Sequence, residues 1–320
     1  MRGESAIGGV SPVPRRARLR GMLDREGTLG LVLIAPAVLY ILLLIAVPLV
    51  LALYYSLSDI TIGNRDPRFV GLRNFASVVG TPRFQTALKN TFIFAFGSQA
   101  LVIVLANALA MALLKEYPWR WWRWAKWIFR LIVLLPWVAP VSLGTIAYLW
   151  MFDSTYSPIN WTLEALGLVE PYEGYMFLGV PKLAMASVIA VHVWRLLPLA
   201  TVILLGGLSS IPQDLHDAAA VDGAGFWRHL FEVTLPLIRP IMLVALLFGL
   251  VFAFTDMIVV FVLTRGGPYD TTQVLANLAF FTGIQGGDLA EGAAIAVFLF
   301  PLLLAAAIVF LRIARRSEVT

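Results

Sequence analysis

The residues of this chain that could do chemistry are few, and their spacing rules most of it out. There is no cysteine in 320 residues, which excludes disulfides, thiolate metal sites and cysteine nucleophiles. The histidines are His192, His216 and His229, and no two have the helical spacing that would place a metal pair on one face. The lysines, Lys89, Lys115, Lys126 and Lys182, follow Leu, Leu, Ala and Pro, whereas a phosphate-cradling P-loop needs a lysine directly after glycine. No nucleophile–base constellation stands out, so an enzyme is the reading with least support. Two features remain. Arg195 and Asp256 lie inside apolar runs, with His192 and Trp194 beside the first, and a polar, small-residue stretch, DAAAVDGAGFWRHLFEVTLPLIRP, occupies 217–240. An ionisable group inside an apolar run is costly. It either lines a polar path, or serves packing alone through an internal ion pair or by snorkelling.

The elements that must position these groups are membrane spans. The chain is 60% hydrophobic and 13% charged, with a mean hydropathy of +0.84; a soluble domain carries roughly 25% charged residues. Six runs reach the ~20 apolar residues that a spanning helix needs: 28–57, 90–114, 131–152, 183–208, 241–263 and 292–311. The first is too long for a signal-peptide core and lacks a small-residue cleavage site, so it is expected to stay as a helix, kinked at Pro36 and Pro48. The chain then divides into an Arg-rich tail at 1–27, a membrane domain at 28–312 and a short tail at 313–320.

Basic residues set the orientation. The N-terminal tail holds Arg2, Arg15, Arg16, Arg18, Arg20 and Arg25, the second loop Lys115, Arg120, Arg123 and Lys126, and the C-terminal tail Arg312, Arg315 and Arg316. Six spans place all three on one side, so both termini are expected in the cytoplasm. The third loop, 153–181, has no basic residue and the fifth only Arg265; the first loop dissents with Arg65, Arg68, Arg73 and Arg83. The net charge of +5 and the tract WRWWRWAKW at 119–127 fit an interfacial aromatic–basic belt better than nucleic-acid binding, because the tract sits between two spans. The N-terminal tail reads as disordered and lipid-touching.

With this topology the 217–240 stretch belongs to a cytoplasmic fourth loop. Ser209 and Ser210 are expected helix caps and Pro212 a first helical position. A helix over 212–222 places Leu215, Ala218, Ala219 and Asp222 on one face. Gly223 permits a tight turn. A second short helix, with Phe226, Leu230 and Val233 on one face, is expected to end at Pro236. Physics alone leaves two readings open: an amphipathic hairpin on the headgroups, or a docking element for a cytoplasmic partner.

The stretch resembles the EAA loop of binding-protein-dependent ABC importer permeases: Glu-Ala-Ala, three residues, Gly, nine residues, Ile-x-Leu-Pro. Here it reads Asp217-Ala218-Ala219, Gly223 and Val233-Thr234-Leu235-Pro236, with Asp217 for Glu and Val233 for Ile. YLWMFDSTYSPIN at 148–160, FVLTRGGPYDTTQVL at 261–275 and VGLRNF at 70–75 resemble segments of the maltose and glycerol-phosphate type, and the Gly-Gly-Pro segment suits the first of the two paired subunits. The resemblance implies an all-α, six-transmembrane-helix type I importer permease with a cytoplasmic helix–turn–helix coupling loop. It implies a second homologous permease, two cytoplasmic ATPase subunits, an extracellular or periplasmic sugar-binding protein, and a bacterial or archaeal plasma membrane. ATP and Mg belong to the ATPase, and this chain carries no cofactor or metal. Asp217, Ala218, Ala219, Gly223, Leu235 and Pro236 are the expected coupling residues. Arg195, Trp194, Asp256, Tyr148, Trp150 and Asn277 are candidates for the substrate path, with Trp137, Asn107 and Gln273 as weaker ones. A glycerol-3-phosphate or glycerophosphodiester permease is the alternative. A secondary transporter, which usually shows an internal repeat not seen here, and a non-transporting scaffold are less supported.

Overall fold

A computed structural model of the protein describes residues 26–64, 66–115, 122–170 and 173–317. The tails expected at 1–27 and 313–320 and the tract at 119–127 lie wholly or partly outside these residues. Among the described residues there is no β-strand, only an isolated antiparallel bridge between Ser58 and Phe69. Among the described residues five helices are long and apolar enough to cross a membrane, or six if a pair bent by 98° is counted as one span. The chain divides into two compact units after Tyr54.

The first unit holds α1 (Glu26–Ile41), a widened π turn (Leu42–Ala46) and α2 (Val47–Ser56), which runs on to the start of the second unit. Pro36 lies within α1. The π turn ends two residues before Pro48, whose ring would meet the carbonyl of Leu44 in an unbroken α-helix.

The second unit is organised on α4 (Pro82–Leu114), which follows the short α3 (Arg73–Val79). The side chain of Thr81 caps α4 by accepting from the Phe84 N–H, with Pro82 in the first turn. Val102, Ala106 and Ala110 form a buried ridge along it. This ridge packs against α8 (Pro181–Ser209), where Val193, Leu196, Ala200 and Leu204 face it, and against α11 (Leu235–Thr255) through Ile238 and Ala245. Small side chains let these backbones approach closely, which matters where lipid gives no hydrophobic drive between helices. Buried hydroxyls are satisfied locally: Thr91 donates to Ala87 O (2.7 Å) and Thr201 to Leu197 O (2.6 Å).

Three expectations are corrected. The third span is not one helix over 131–152: α5 (Trp122–Val138) and α6 (Val141–Met151) meet at a bend of 98°. Pro140 has no N–H to continue the ladder and holds Ala139 away from helical backbone. The fifth span does not run over 241–263. It begins earlier and stops at Thr255, and α12 (Ile258–Leu263) starts anew after Asp256. The Asp256 carboxylate accepts from the Val259 N–H at 3.2 Å, so a side chain read as lying inside a span caps the next helix. Nor does Pro236 end the second loop helix. The helix runs from α10 (Phe226–Arg228) through a π turn (His229–Thr234) into α11, and the widened turn makes room for the proline ring opposite Glu232.

Beyond the spans, α7 (Pro158–Ala165) follows the third, and α13 (Leu275–Phe280), a π turn (Phe281–Gln285) and α14 (Leu289–Val297) lead into α15 (Leu299–Ser317). Gly292 meets Gly283 backbone to backbone, with no room for a Cβ.

Candidate functional site

Two constellations collect the predicted residues. The first is the fourth loop. α9 (Gln213–Val221) is followed by a turn in which Gly223 takes a φ of +72°. A Cβ there would meet nothing within 4 Å, so glycine is required by the backbone and not by space. The turn is closed by Ala224 N–H to Ala219 O (2.9 Å). The helix–turn–helix is therefore present, with one change at its start: Ser209 and Ser210 donate back to Leu205 O and Gly207 O and close α8, and Pro212 is itself the N-cap of α9.

Of the face predicted on α9, Ala219 is buried, whereas Leu215, Ala218 and Asp222 are exposed. Of the second helix's face, Leu230 is buried and Phe226 exposed. Asp217 is exposed and accepts from Gln213 Nε2 at 3.1 Å. Leu235 and Pro236 form the first turn of α11. Phe226, Trp227 and Phe231 form an exposed aromatic group, with centroids 5.1 and 6.1 Å apart. Sequence reasoning missed a histidine latch: His216 Nδ1 lies 2.9 Å from His229 Nε2, and His229 Nδ1 lies 3.3 Å from Thr234 Oγ1. It ties α9 to the second helix across the glycine turn. Histidines 13 apart in sequence give no local signal of such a pair.

The second constellation lies where the interruptions at Pro140 and Asp256 meet, since α12 packs on α6. Asp256 Oδ2 accepts from His192 Nδ1 (2.7 Å) and Arg195 Nη1 (2.9 Å). Side-chain exposures of 2% for Asp256, 0% for His192 and 17% for Arg195 mark a buried network between the fourth and fifth spans. Trp194 packs edge-on to Tyr148 with centroids 5.0 Å apart, and a Cβ on Gly144 would stand 3.1 Å from the indole. The structure thus gathers Arg195, Trp194, Asp256 and Tyr148. Trp137 packs instead on Phe252, and Trp150 lies in the last turn of α6, facing the loop that follows.

Gln273 sits in the Gly-Gly-Pro segment and Asn277 just beyond it, in α13. Both are fully buried, and Asn277 Nδ2 donates to Gln273 Oε1 at 2.6 Å. Gly266, at φ +92°, lies directly against that amide, so a side chain there is barred by both conformation and space. Thr264 and Thr272 join their hydroxyls at 2.6 Å, and Thr272 Oγ1 donates to Gly267 O at 2.7 Å. Asn107 donates to Ile103 O from inside the α4 packing face. Gln99 was also missed: it is buried against Gly249 with neither amide atom bonded to the protein. Its signal was a lone amide in an apolar run.

A polytopic helical membrane protein is defined here, with an exposed helix–turn–helix continuous with one span and a buried hydrogen-bonded network at two helix breaks. The chain belongs to the binding-protein-dependent transport system inner membrane component family, whose model matches residues 109–318. It is 34% identical to the trehalose/maltose transport system permease protein of Thermococcus litoralis over 91% of this chain and 95% of that one. It is 32% identical to the sulfoquinovosyl glycerol transport system permease protein of Agrobacterium fabrum over 96% of each. A bacterial alginate ABC transporter, solved in complex with its alginate pentasaccharide-bound periplasmic protein, has a chain that superposes with a TM-score of 0.78 at 20% identity, covering 93% of this chain and 98% of that one. That likeness supports the all-helical fold.

Proposed function

We propose that this chain is one of two permease subunits of an ATP-driven importer for an uncharged sugar, a disaccharide or oligosaccharide, which it accepts from a separate binding protein. ATP and Mg act on two partner ATPase subunits in the cytoplasm, where both termini also lie. The observation that carries this reading is the uninterrupted helix from the fourth loop into the membrane. Residues 226–255 form one run of 30 residues, about 45 Å at 1.5 Å per residue. ATPase closure pressing on the loop moves the fifth span as a rigid lever, and the histidine latch carries α9 with it. Rocking of two such subunits alternates access to the path.

Arg195, Trp194, Asp256 and Tyr148 flank that path at the helix breaks, the kind of place where transporters build solute sites. Trp150 shares α6 with Tyr148, and Asn277 is paired with Gln273. A glycerol phosphate substrate asks for an unpaired cation; Arg195 is already neutralised by Asp256 at 2.9 Å, which favours an uncharged solute.

The test is reconstitution with partner subunits and binding protein. Gly223→Pro is expected to leave insertion intact while sugar no longer stimulates ATP hydrolysis, because proline fixes φ near −65° where the turn needs +72°. Normal sugar-stimulated hydrolysis in that variant contradicts the coupling role.

A further inference from the structure

The loop after the third span builds a concavity that the path described above does not use. It encloses about 860 Å³ between the end of α6, α7 and the segment before α8. Three large aromatic side chains line it and are exposed: Trp150 (60%), Tyr156 (77%) and Trp161 (71%). Ser154, Thr155 and Glu164 supply polar groups between them.

The walls are held rigidly. Asp153 Oδ1 accepts from the backbone N–H groups of Thr155 and Tyr156, both at 2.8 Å. Ser157 caps α7 and donates to Met151 O at 2.6 Å, pinning the helix start to the end of α6. Asn160 clamps the far wall with two hydrogen bonds to the backbone of Tyr175, both at 3.0 Å, and Gly174 lies so close to it that a Cβ would come within 2.7 Å of the amide. Aromatic faces on a fixed scaffold, with hydroxyl and carboxylate groups between them, suit a pyranose: its C–H faces stack on rings and its hydroxyls meet the polar groups. An interfacial belt explains aromatics spread over a convex surface, whereas these three converge on one hollow. The loop 153–181 carries Asp153, Glu164, Glu170 and Glu173 and no basic residue, which selects against an anionic sugar.

We propose that this groove is a reception subsite for an uncharged saccharide, which occupies it on the external face after leaving the binding protein and before entering between the spans. The inference rests on the importer reading and on the third loop facing outward. The test is saturation-transfer NMR on the full chain in nanodiscs, with trehalose, maltose and diacetylchitobiose as probes, beside ATP hydrolysis by the assembled transporter with the same sugars. A probe that drives hydrolysis is expected to receive saturation on its ring C–H protons. Trp161→Ala and Tyr156→Ala each weaken its affinity about tenfold, the loss of one stacking face. Trp161→Phe restores most of it. Unchanged transfer in both alanine variants, or none in the wild type with a sugar that drives hydrolysis, overturns the groove and leaves the importer standing. Hydrolysis that responds to no saccharide carried by the binding protein of the assembled transporter overturns the importer reading, and the groove with it.

Discussion

Asp256→Ala tests the buried network most sharply. The carboxylate serves two basic side chains through one oxygen and caps α12 through the other. Its removal leaves Arg195 charged and without its partner between the spans. Breaking a buried pair by removing one partner costs about 3–5 kcal/mol, and losing a helix cap costs about 1 kcal/mol more. At roughly 2 °C per kcal/mol for a chain of this size, the melting temperature falls by about 8–12 °C. The partner experiment is Asp256→Leu with Arg195→Met, which removes both charges. Replacing a whole buried pair by apolar side chains is close to neutral, so the remaining cost is the cap and an unpaired His192 Nδ1, about 2–3 kcal/mol. The double variant is expected to recover at least half of the lost melting temperature. Fluorescence-detected size exclusion after heating, on detergent-solubilised protein, measures both. A double variant that melts as low as the single, or a single within about 2 °C of wild type, refutes the argument that the pair holds the two breaks together.

Other outcomes follow from single residues. Gly223→Ala has space for its methyl group, so its effect is backbone strain alone, about 1–2 kcal/mol; ATP hydrolysis is expected to couple to uptake less well, and Gly223→Asn to do better than alanine, as measured by sugar taken up per ATP. Gly292→Ala drives a methyl into the backbone of Gly283; overpacking of this kind costs about 1–3 kcal/mol, and a thermal melt equal to wild type contradicts the close crossing. Asp153 accepts hydrogen bonds from the Tyr156 and Thr155 N–H groups, which hold its carboxyl below the ordinary carboxylate range. A depressed folded-state pKa means that the order it gives is complete above the ordinary Asp range and lost as pH falls through the depressed value. Exchange protection of the two amides is therefore expected to hold from neutral pH down to about 5, where a normal carboxylate is still ionised. It disappears in Asp153→Ala at every pH; equal protection in that variant contradicts the turn.

Much of this architecture was legible. The glycine turn at Gly223 and two helices around it followed from residue types alone, because glycine between two helical patterns permits a turn that larger residues resist. Six apolar runs gave six spans for the same reason: length and hydropathy are local quantities. Helix breaks were not so legible. A hydropathy window sums apolar character without direction, so the runs over 131–152 and 241–263 looked continuous across Pro140 and Asp256. Pro236 misled in the opposite sense, since its helix-breaking effect is cancelled by a π turn that composition does not announce. The pairings of Arg195 with Asp256 and of His216 with His229 join residues 61 and 13 apart in sequence, and only tertiary packing brings them within bonding distance. The Gly-Gly-Pro segment could be read only by resemblance. Its physical reason, Gly266 lying against the Gln273 amide, needed the three-dimensional structure.

The central claim is that the fourth loop is where an ATPase drives this subunit, and the absence of cysteine makes a direct test available. Ala218→Cys places a unique thiol on the exposed side of α9. A short bifunctional reagent applied to native membranes, followed by mass spectrometry of the linked product, identifies what lies against it. The account expects a P-loop ATPase subunit, linked in high yield and in a manner that changes when ATP is added. Linkage to lipid or to no protein, while Thr155→Cys in the third loop of the same preparation links to a solute-binding protein, contradicts it and leaves the loop a hairpin on the membrane surface.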